Sequence, residues 1–159
     1  MVLVLLGTQH NEFTRLLKEV ERLIIKGIIT EEVIVQAGFT KYETDKMKVF
    51  DMISKEELSN LTKTADLIIT HGGVGSIISA LKESKKVIAV PRLSKYYEHV
   101  NDHQKQIVEV FNQKGYLIGV QDVTELETAI ERSKDFIPVM YKSDNEKMIN
   151  LIDSFLQKI

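Results

Sequence analysis

The stretch Leu67-Ile68-Ile69-Thr70-His71-Gly72-Gly73-Val74-Gly75-Ser76-Ile77-Ile78-Ser79-Ala80-Leu81 changes its periodicity midway. Its opening apolar run predicts a buried strand, and Ile77, Ile78 and Leu81 then fall at helical spacing. Between them lies a turn rich in glycine, which opens positive φ to the chain and lets a ligand approach the backbone. The first N–H groups of the following helix lack intrahelical partners and carry roughly half a positive charge, so an anion, most often a phosphate, is stabilised there. A tight strand-to-helix turn with no ligand satisfies the same pattern, and the turn alone does not separate the two readings.

Working outward, Val2 to Leu6 reads as a first strand ended by Gly7-Thr8. Asn11 is the expected cap of a helix whose stripe is Phe13, Leu16, Leu17, Val20, Leu23 and Ile24, with Gly27 as its stop. Val33 to Ala37 predicts a second strand and Met47 to Asp51 a third. Ser54 and Glu57 form a capping box, which Ile53 and Leu58 can staple, before a helix running to about Thr64. Beyond the central unit, Lys86 to Val90 is a fifth strand ended by Pro91. Asn101 to Gln113 is a helix closed by Gly115, and Tyr116 to Gly119 a sixth strand. Thr124 with Glu127 and Ser143 with Glu146 repeat the capping-box pattern ahead of two final helices, the second buried through Met148, Leu151, Ile152 and Phe155.

Strands alternating with helices predict an α/β fold: a Rossmann-like parallel sheet with helices on both faces and strand order 3-2-1-4-5-6. That order brings Gly7 to Asn11, Gln36 to Lys46, His71 to Ser76 and Pro91 to Asn101 to one edge. One joint fits poorly, because Gly38 to Lys46 contains no evident helix although a parallel crossover normally takes a dozen residues or more.

The sequence has 159 residues, net charge −2, 43% hydrophobic and 28% charged residues, and no cysteine. Residues 1–159 are expected to form a single domain with one sizeable core. No basic excess invites nucleic acid or an anionic membrane. Without cysteine there is neither a disulfide nor thiol catalysis. The apolar start, Met1 to Leu6, is too short for a signal peptide or a transmembrane helix, so a cytoplasmic location is expected unless a partner tethers the chain.

The common nucleotide motifs are missing. A dinucleotide fold calls for G-x-G-x-x-G after the first strand, where Gly7-Thr8-Gln9-His10-Asn11 supplies one glycine, and no G-x-x-x-x-G-K-[ST] string occurs. Instead Leu6-Gly7-Thr8 with Phe13, Gln36-Ala37-Gly38, Ala65 to Ser76, and Asn101-Asp102-His103-Gln104 together resemble the C-terminal, donor-binding domain of glycosyltransferase family 28. The resemblance covers about Met1 to Val120. It is nearest to the small stand-alone members: the soluble subunit of the two-subunit dolichol-pathway N-acetylglucosaminyltransferase, and its bacterial capsule and exopolysaccharide homologues.

What the resemblance implies is the C-terminal half of a GT-B fold that binds a UDP-sugar. The acceptor-binding, membrane-anchored half would be a separate polypeptide that recruits this one to the cytoplasmic membrane face. The implied activity is inverting transfer of a sugar to a lipid-linked acceptor, with capsule-type galactosyl or glucuronosyl transfer the favoured case. No cofactor is implied beyond the UDP-sugar substrate. The chain also lacks an Asp-x-Asp string, and His99 and His103, at i and i+4, lack the glutamate of H-E-x-x-H, so no metal site is expected.

Carried over residue by residue, Gly73, Gly75 and Ser76 would lay backbone N–H groups, the last also its hydroxyl, against the diphosphate, stabilising departing UDP with preorganised donors, and Gly72 would belong to the same donor-binding turn. Asn101, His103 and Gln104 would bond the sugar hydroxyls, and Gly7 and Thr8 would line the cleft toward the acceptor half. His71 either donates to a phosphate or packs under the turn. No general base is identifiable, and the resemblance places it on the partner. One position departs from the pattern: Ser79 stands where relatives carry a ribose-binding glutamate on the helix after the turn. A non-catalytic module that stabilises a partner transferase is therefore the alternative.

Overall fold

The computed structural model describes residues 1–142, 147, 150 and 152–154. Six strands form one all-parallel sheet in the order β3-β2-β1-β4-β5-β6. They are β1 (Val2–Leu5), β2 (Val33–Gln36), β3 (Lys48–Phe50), β4 (Leu67–His71), β5 (Lys86–Val90) and β6 (Ile118–Gly119). The helices are α1 (Thr14–Ile25), α2 (Lys55–Thr64), α3 (Val74–Lys82), α4 (His103–Gln113) and α5 (Leu126–Ser133). The expected strand order and the elements around the central glycine turn are those observed.

Alternation along β1 divides the core in two. Val2, Val4 and Leu6 join α1 and α5 residues such as Leu16, Leu17, Val20, Leu126 and Ile130 on one face. Leu3 and Leu5 join Ile77, Leu81, Val108 and Phe111 of α3 and α4 on the other. The central strands are buried on both faces, which is why they read as unbroken apolar runs. Gly27, at φ +78°, and Gly115, at φ +71°, end α1 and α4 in the left-handed conformation that glycine supplies.

Three local expectations are corrected. Asn11 does not cap α1: its amide donates to the Tyr97 carbonyl at 2.8 Å, and the helix begins after Phe13, whose N–H is taken by the buried Thr40 hydroxyl at 2.9 Å. A distant residue offered a better-placed, desolvated acceptor than the local one. Asn101 likewise stands before the first turn of α4, its side-chain oxygen accepting from the His103 N–H at 3.1 Å while Asp102 is the flanking residue. The Thr124 and Glu127 box does not form, because the Asp122 carboxylate takes the Thr124 N–H and a 3-10 turn, Val123–Glu125, precedes α5. The Ser54 and Glu57 box is present in both its hydrogen bonds.

The crossover from β2 to β3 contains no helix. It is held instead against α1 by Tyr42, whose hydroxyl donates to Glu21 at 2.6 Å and whose ring packs on the core, with Thr44 also bonded to Glu21. The expected Ser143 and Glu146 box, and Met148, Leu151 and Phe155 of the last stripe, lie outside the described residues. Ile152 is described, partly buried against the α3 and α4 side of the core. Among the described residues no helix is long and apolar enough to cross a membrane.

Candidate functional site

Because β1 and β4 are neighbours at the centre of the sheet and their following helices cover opposite faces, the loops after them part at the switch point of the strand order. Gly7 leaves β1 at φ +75°, and a Cβ there would meet the His71 ring at 2.6 Å. Gly38, at φ +60° after β2, would drive a Cβ into the Gly7 carbonyl. Between them the Gln36 amide pairs both ways with Gly7, accepting from its N–H at 3.2 Å and donating to its carbonyl at 3.1 Å. The Gln36-Ala37-Gly38 string thus holds the first loop closed by backbone proximity that only glycine permits.

His71 ends β4 beneath this loop and is 8% exposed. Burial, reinforced by the charge of nearby Arg92, pushes its pKa down to about 4. The ring is therefore neutral at pH 7, and with Leu5 O 3.3 Å from Nδ1 the proton belongs on Nδ1. Nε2 is then an acceptor turned toward Gly73, where a Cβ would strike it. Of the two roles open from sequence, the geometry favours the packed, structural one.

Gly73 is the N-cap of α3, with φ −78° and ψ 125°, and no side chain caps the helix. The first turn holds no acidic residue, so the N–H groups of Val74, Gly75 and Ser76 present an electropositive end unopposed by local charge. They border a depression of about 300 Å³ lined by Gly7, Thr8, Gln36, Met52, Ile53, Leu58, His71, Gly73, Gly75 and Ser76. Its lining combines backbone donors and the hydroxyls of Thr8 and Ser76 with the apolar side chains of Met52, Ile53 and Leu58. A larger groove of about 510 Å³ opens beside it between α2 and the edge strand β3, sharing Met52 and Ile53. The α2 N-terminus bordering that groove is already closed by its capping box, so the available anion donors belong to the smaller depression.

The structure brings Gly7, Thr8, His71, Gly73, Gly75 and Ser76 together, while Asn101, His103 and Gln104 stand outside the lining. Gly72 points away from the depression, packed against α4, where a Cβ would meet Gln104 Cβ at 2.7 Å. His99 is engaged locally, its Nδ1 accepting from the Asn101 N–H at 3.2 Å. Ser79 is exposed on α3.

The residues that sequence reading missed are Arg92, Glu98 and Arg15. Arg92 is fully buried, donating from Nη1 to Asn11 O at 2.7 Å and from Nη2 to Leu6 O at 2.8 Å, with its guanidinium 5.0 Å from the Phe13 ring centre. Burial lowers its pKa to about 10, leaving it charged at pH 7. Glu98, 3% exposed, accepts a two-pronged bond from Arg15, at 2.9 Å on each oxygen, and the Leu93 N–H at 3.0 Å. This pairing fixes the loop after β5, whose Tyr97 and Val100 remain 87% and 83% exposed. Its only sequence signal is charge within an otherwise apolar strand end, which does not reveal a partner some eighty residues away.

An uncapped helix N-terminus and a glycine turn lie at the switch point of a doubly wound parallel sheet, which defines a Rossmann-like protein. The model of the glycosyltransferase family 28 C-terminal domain matches residues 1–157, and the chain belongs to that family. A UDP-N-acetylglucosamine transferase subunit ALG13 from Candida glabrata is 29% identical over 148 residues, covering 91% of this chain and 66% of the relative. An NMR structure of ALG13 superposes with a TM-score of 0.63 at 22% identity, covering 95% of this chain and 94% of that one. The glycotransferase of kitacinnamycin superposes at 0.60 and 16% identity, over 82% of this chain but 34% of its own. The fold is thus that of the C-terminal half of GT-B glycosyltransferases. The chain spans about two thirds of the length of the Candida relative and about a third of the kitacinnamycin enzyme.

Proposed function

We propose that this chain is the donor-binding subunit of a two-subunit inverting glycosyltransferase, which moves a sugar from a UDP-sugar to a lipid-linked acceptor in oligosaccharide or polysaccharide synthesis. The observation that carries the reading is the depression of mixed lining at the switch point. The uncapped N-terminus of α3 suits a diphosphate, and the apolar side chains of Met52, Ile53 and Leu58 suit the flat face of a base. At about 300 Å³ it lies at the small end of ligand sites, so it accommodates part of a nucleotide-sugar and leaves the remainder to a facing surface.

Gly73, Gly75 and Ser76 are assigned to the diphosphate, Gly7 and Thr8 to the wall facing the acceptor, and Asn101 and His103 to the sugar side. The relative's own description as a UDP-N-acetylglucosamine transferase subunit makes an N-acetylhexosamine the first donor to test. The proposed partner is a membrane-anchored acceptor-binding subunit that brings this chain to the cytoplasmic membrane face. One observation favours a second reading: Ser79, exposed on α3, offers no carboxylate to a ribose, which is compatible with an accessory module that stabilises a partner transferase.

A ligand that binds the native state alone raises apparent stability by about 2.7 kcal/mol at a hundredfold excess over its dissociation constant. A thermal-shift panel of UDP, UDP-N-acetylglucosamine, UDP-galactose, UDP-glucuronate, NAD and NADP is expected to show stabilisation by the uridine ligands. Stabilisation by NAD alone would end the transferase reading.

A further inference from the structure

The loop between β5 and α4 crosses the carboxyl edge of the sheet. It leaves β5 at Pro91, meets α1 at Glu98 and returns to α4 at His103, and α1 and α4 pack on opposite faces. The Arg15 guanidinium holds its far point, with Nε and Nη2 each 2.9 Å from a Glu98 carboxylate oxygen and Nη1 3.1 Å from Asp122. The same carboxylate accepts the Leu93 N–H at 3.0 Å, and the Glu98 carbonyl accepts from buried Arg92 at 3.3 Å. Tyr97, just before Glu98, has φ +59°, and its side chain is 87% exposed, so little packing offsets the left-handed backbone. A bulky residue there is strained, and the loop is held in a shape that it would leave if released.

We propose that Arg15 and Glu98 are positioning residues for the donor sugar: their pairing seats the loop so that Asn101, His103 and Gln104 begin α4 in one fixed place, a role that rests on the donor-binding reading with those three residues at the sugar. A buried ion pair adds little net stability over an apolar substitute, whereas the planar fork of an arginine on a carboxylate fixes one geometry. The loop end passes that geometry on. His99 Nδ1 accepts from the Asn101 N–H at 3.2 Å, and the Asn101 side chain accepts from the His103 N–H at 3.1 Å, so a shift at Glu98 enters the first turn of α4. Among the described residues neither Arg15 nor Glu98 bonds to the glycine turn after β4. Breaking the pair therefore displaces the sugar side and leaves the diphosphate side in place.

The discriminating variant is Glu98→Gln, whose amide oxygen can still accept from Leu93 while the charge and one arm of the fork are lost. Calorimetry is expected to show UDP-N-acetylglucosamine weakened by about tenfold, the equivalent of one to two net hydrogen bonds, and UDP changed by less than about twofold. Amide exchange at Asn101 and His103 is expected to accelerate in the same variant. Equal weakening of the two ligands overturns the proposal, as does unaltered exchange at those amides. A lower melting temperature with the affinity ratio of the wild type also overturns it, since that is the signature of a merely structural pair. If Glu98→Gln does not fold, the double variant Arg15→Met with Glu98→Gln removes both charges of the pair and is expected to show the same change in ratio. Failure of the wild type to bind either ligand overturns the functional reading instead. Faster exchange at Asn101 and His103 then still supports the seating of α4 by the pair, and unchanged exchange overturns it.

Discussion

Gly75 and Gly7 border one depression, yet a methyl group affects them in opposite ways. A Cβ on Gly75 meets nothing within 4 Å, and the residue sits in the first turn of α3, so Gly75→Ala is expected to stabilise the fold by about 0.5 kcal/mol. Under the proposed donor-binding reading the same methyl would stand in the path of the diphosphate, so UDP affinity is expected to fall; urea denaturation and calorimetry on one preparation separate the two effects. Gly7→Ala, with φ +75° and the His71 ring at 2.6 Å, is expected to cost about 1–3 kcal/mol. His71 itself gives a pH signature. Its pKa is about 4 in the folded chain against about 6.5 unfolded. Above pH 6.5 both states are neutral and it contributes no penalty. As pH falls from 6.5 to 4 the unfolded state takes up the proton first, so stability drops, by about 3 kcal/mol in all. In urea titrations from pH 7 to 4.5, the stability of the wild type is expected to fall with pH more steeply than that of His71→Gln, and equal slopes would refute the assignment.

At the level of elements, helix starts were the least legible features, because the acceptor that took a donor was either another local residue, as at Asn101 and Asp122, or one far along the chain, as at Thr40. Asn11 has the residue type and position of an N-cap, but the Phe13 N–H goes to Thr40, a residue with no local claim on α1. Thr40→Val keeps the shape, removes the buried acceptor, and is expected to cost about 1–2 kcal/mol by denaturant melting. Asn11→Ala, losing only an exposed bond to Tyr97, is expected to stay within about 0.5 kcal/mol. The reverse order would return the capping role to Asn11. The Ser54 and Glu57 box was legible because both partners lie within one helical turn, and no competing acceptor intrudes.

Across the whole molecule, one group of exposed apolar side chains lies on the loops at the carboxyl ends of the strands, and another, Ile137, Val139 and Met140, follows α5. Phe39 follows β2, Met52 follows β3, and Tyr96, Tyr97 and Val100 follow β5, all more than 40% exposed. A surface of this kind around a shallow site fits a partner that completes the pocket. We therefore expect transfer of labelled sugar to membrane lipid only when this chain is mixed with membranes holding the partner. Robust transfer by the purified chain would refute the divided active site, and transfer by the partner membranes alone, merely enhanced here, would favour the accessory module.

The layering and the glycine turn could be read from the sequence because each rests on local pattern, and the strand order because strands alternating with helices leave few arrangements of a parallel sheet. Buried parallel strands must be apolar runs, amphipathic helices must show their period, and a turn that admits backbone close to a neighbour must be glycine. Once the strand order was known, the same locality placed Gly7, Gly73, Gly75 and Ser76 at one edge, where they line one depression. What only the tertiary structure decided were contacts between distant segments: Thr40 bonded to Phe13 at the entry to α1, Arg92 joining the loops after β1 and β5, Glu98 paired with Arg15, and Gln104 turned onto Gly72 and Arg92. A polar side chain carries its chemistry in the sequence but not the identity of the group it bonds. That choice is made when packing removes water and leaves one partner within reach.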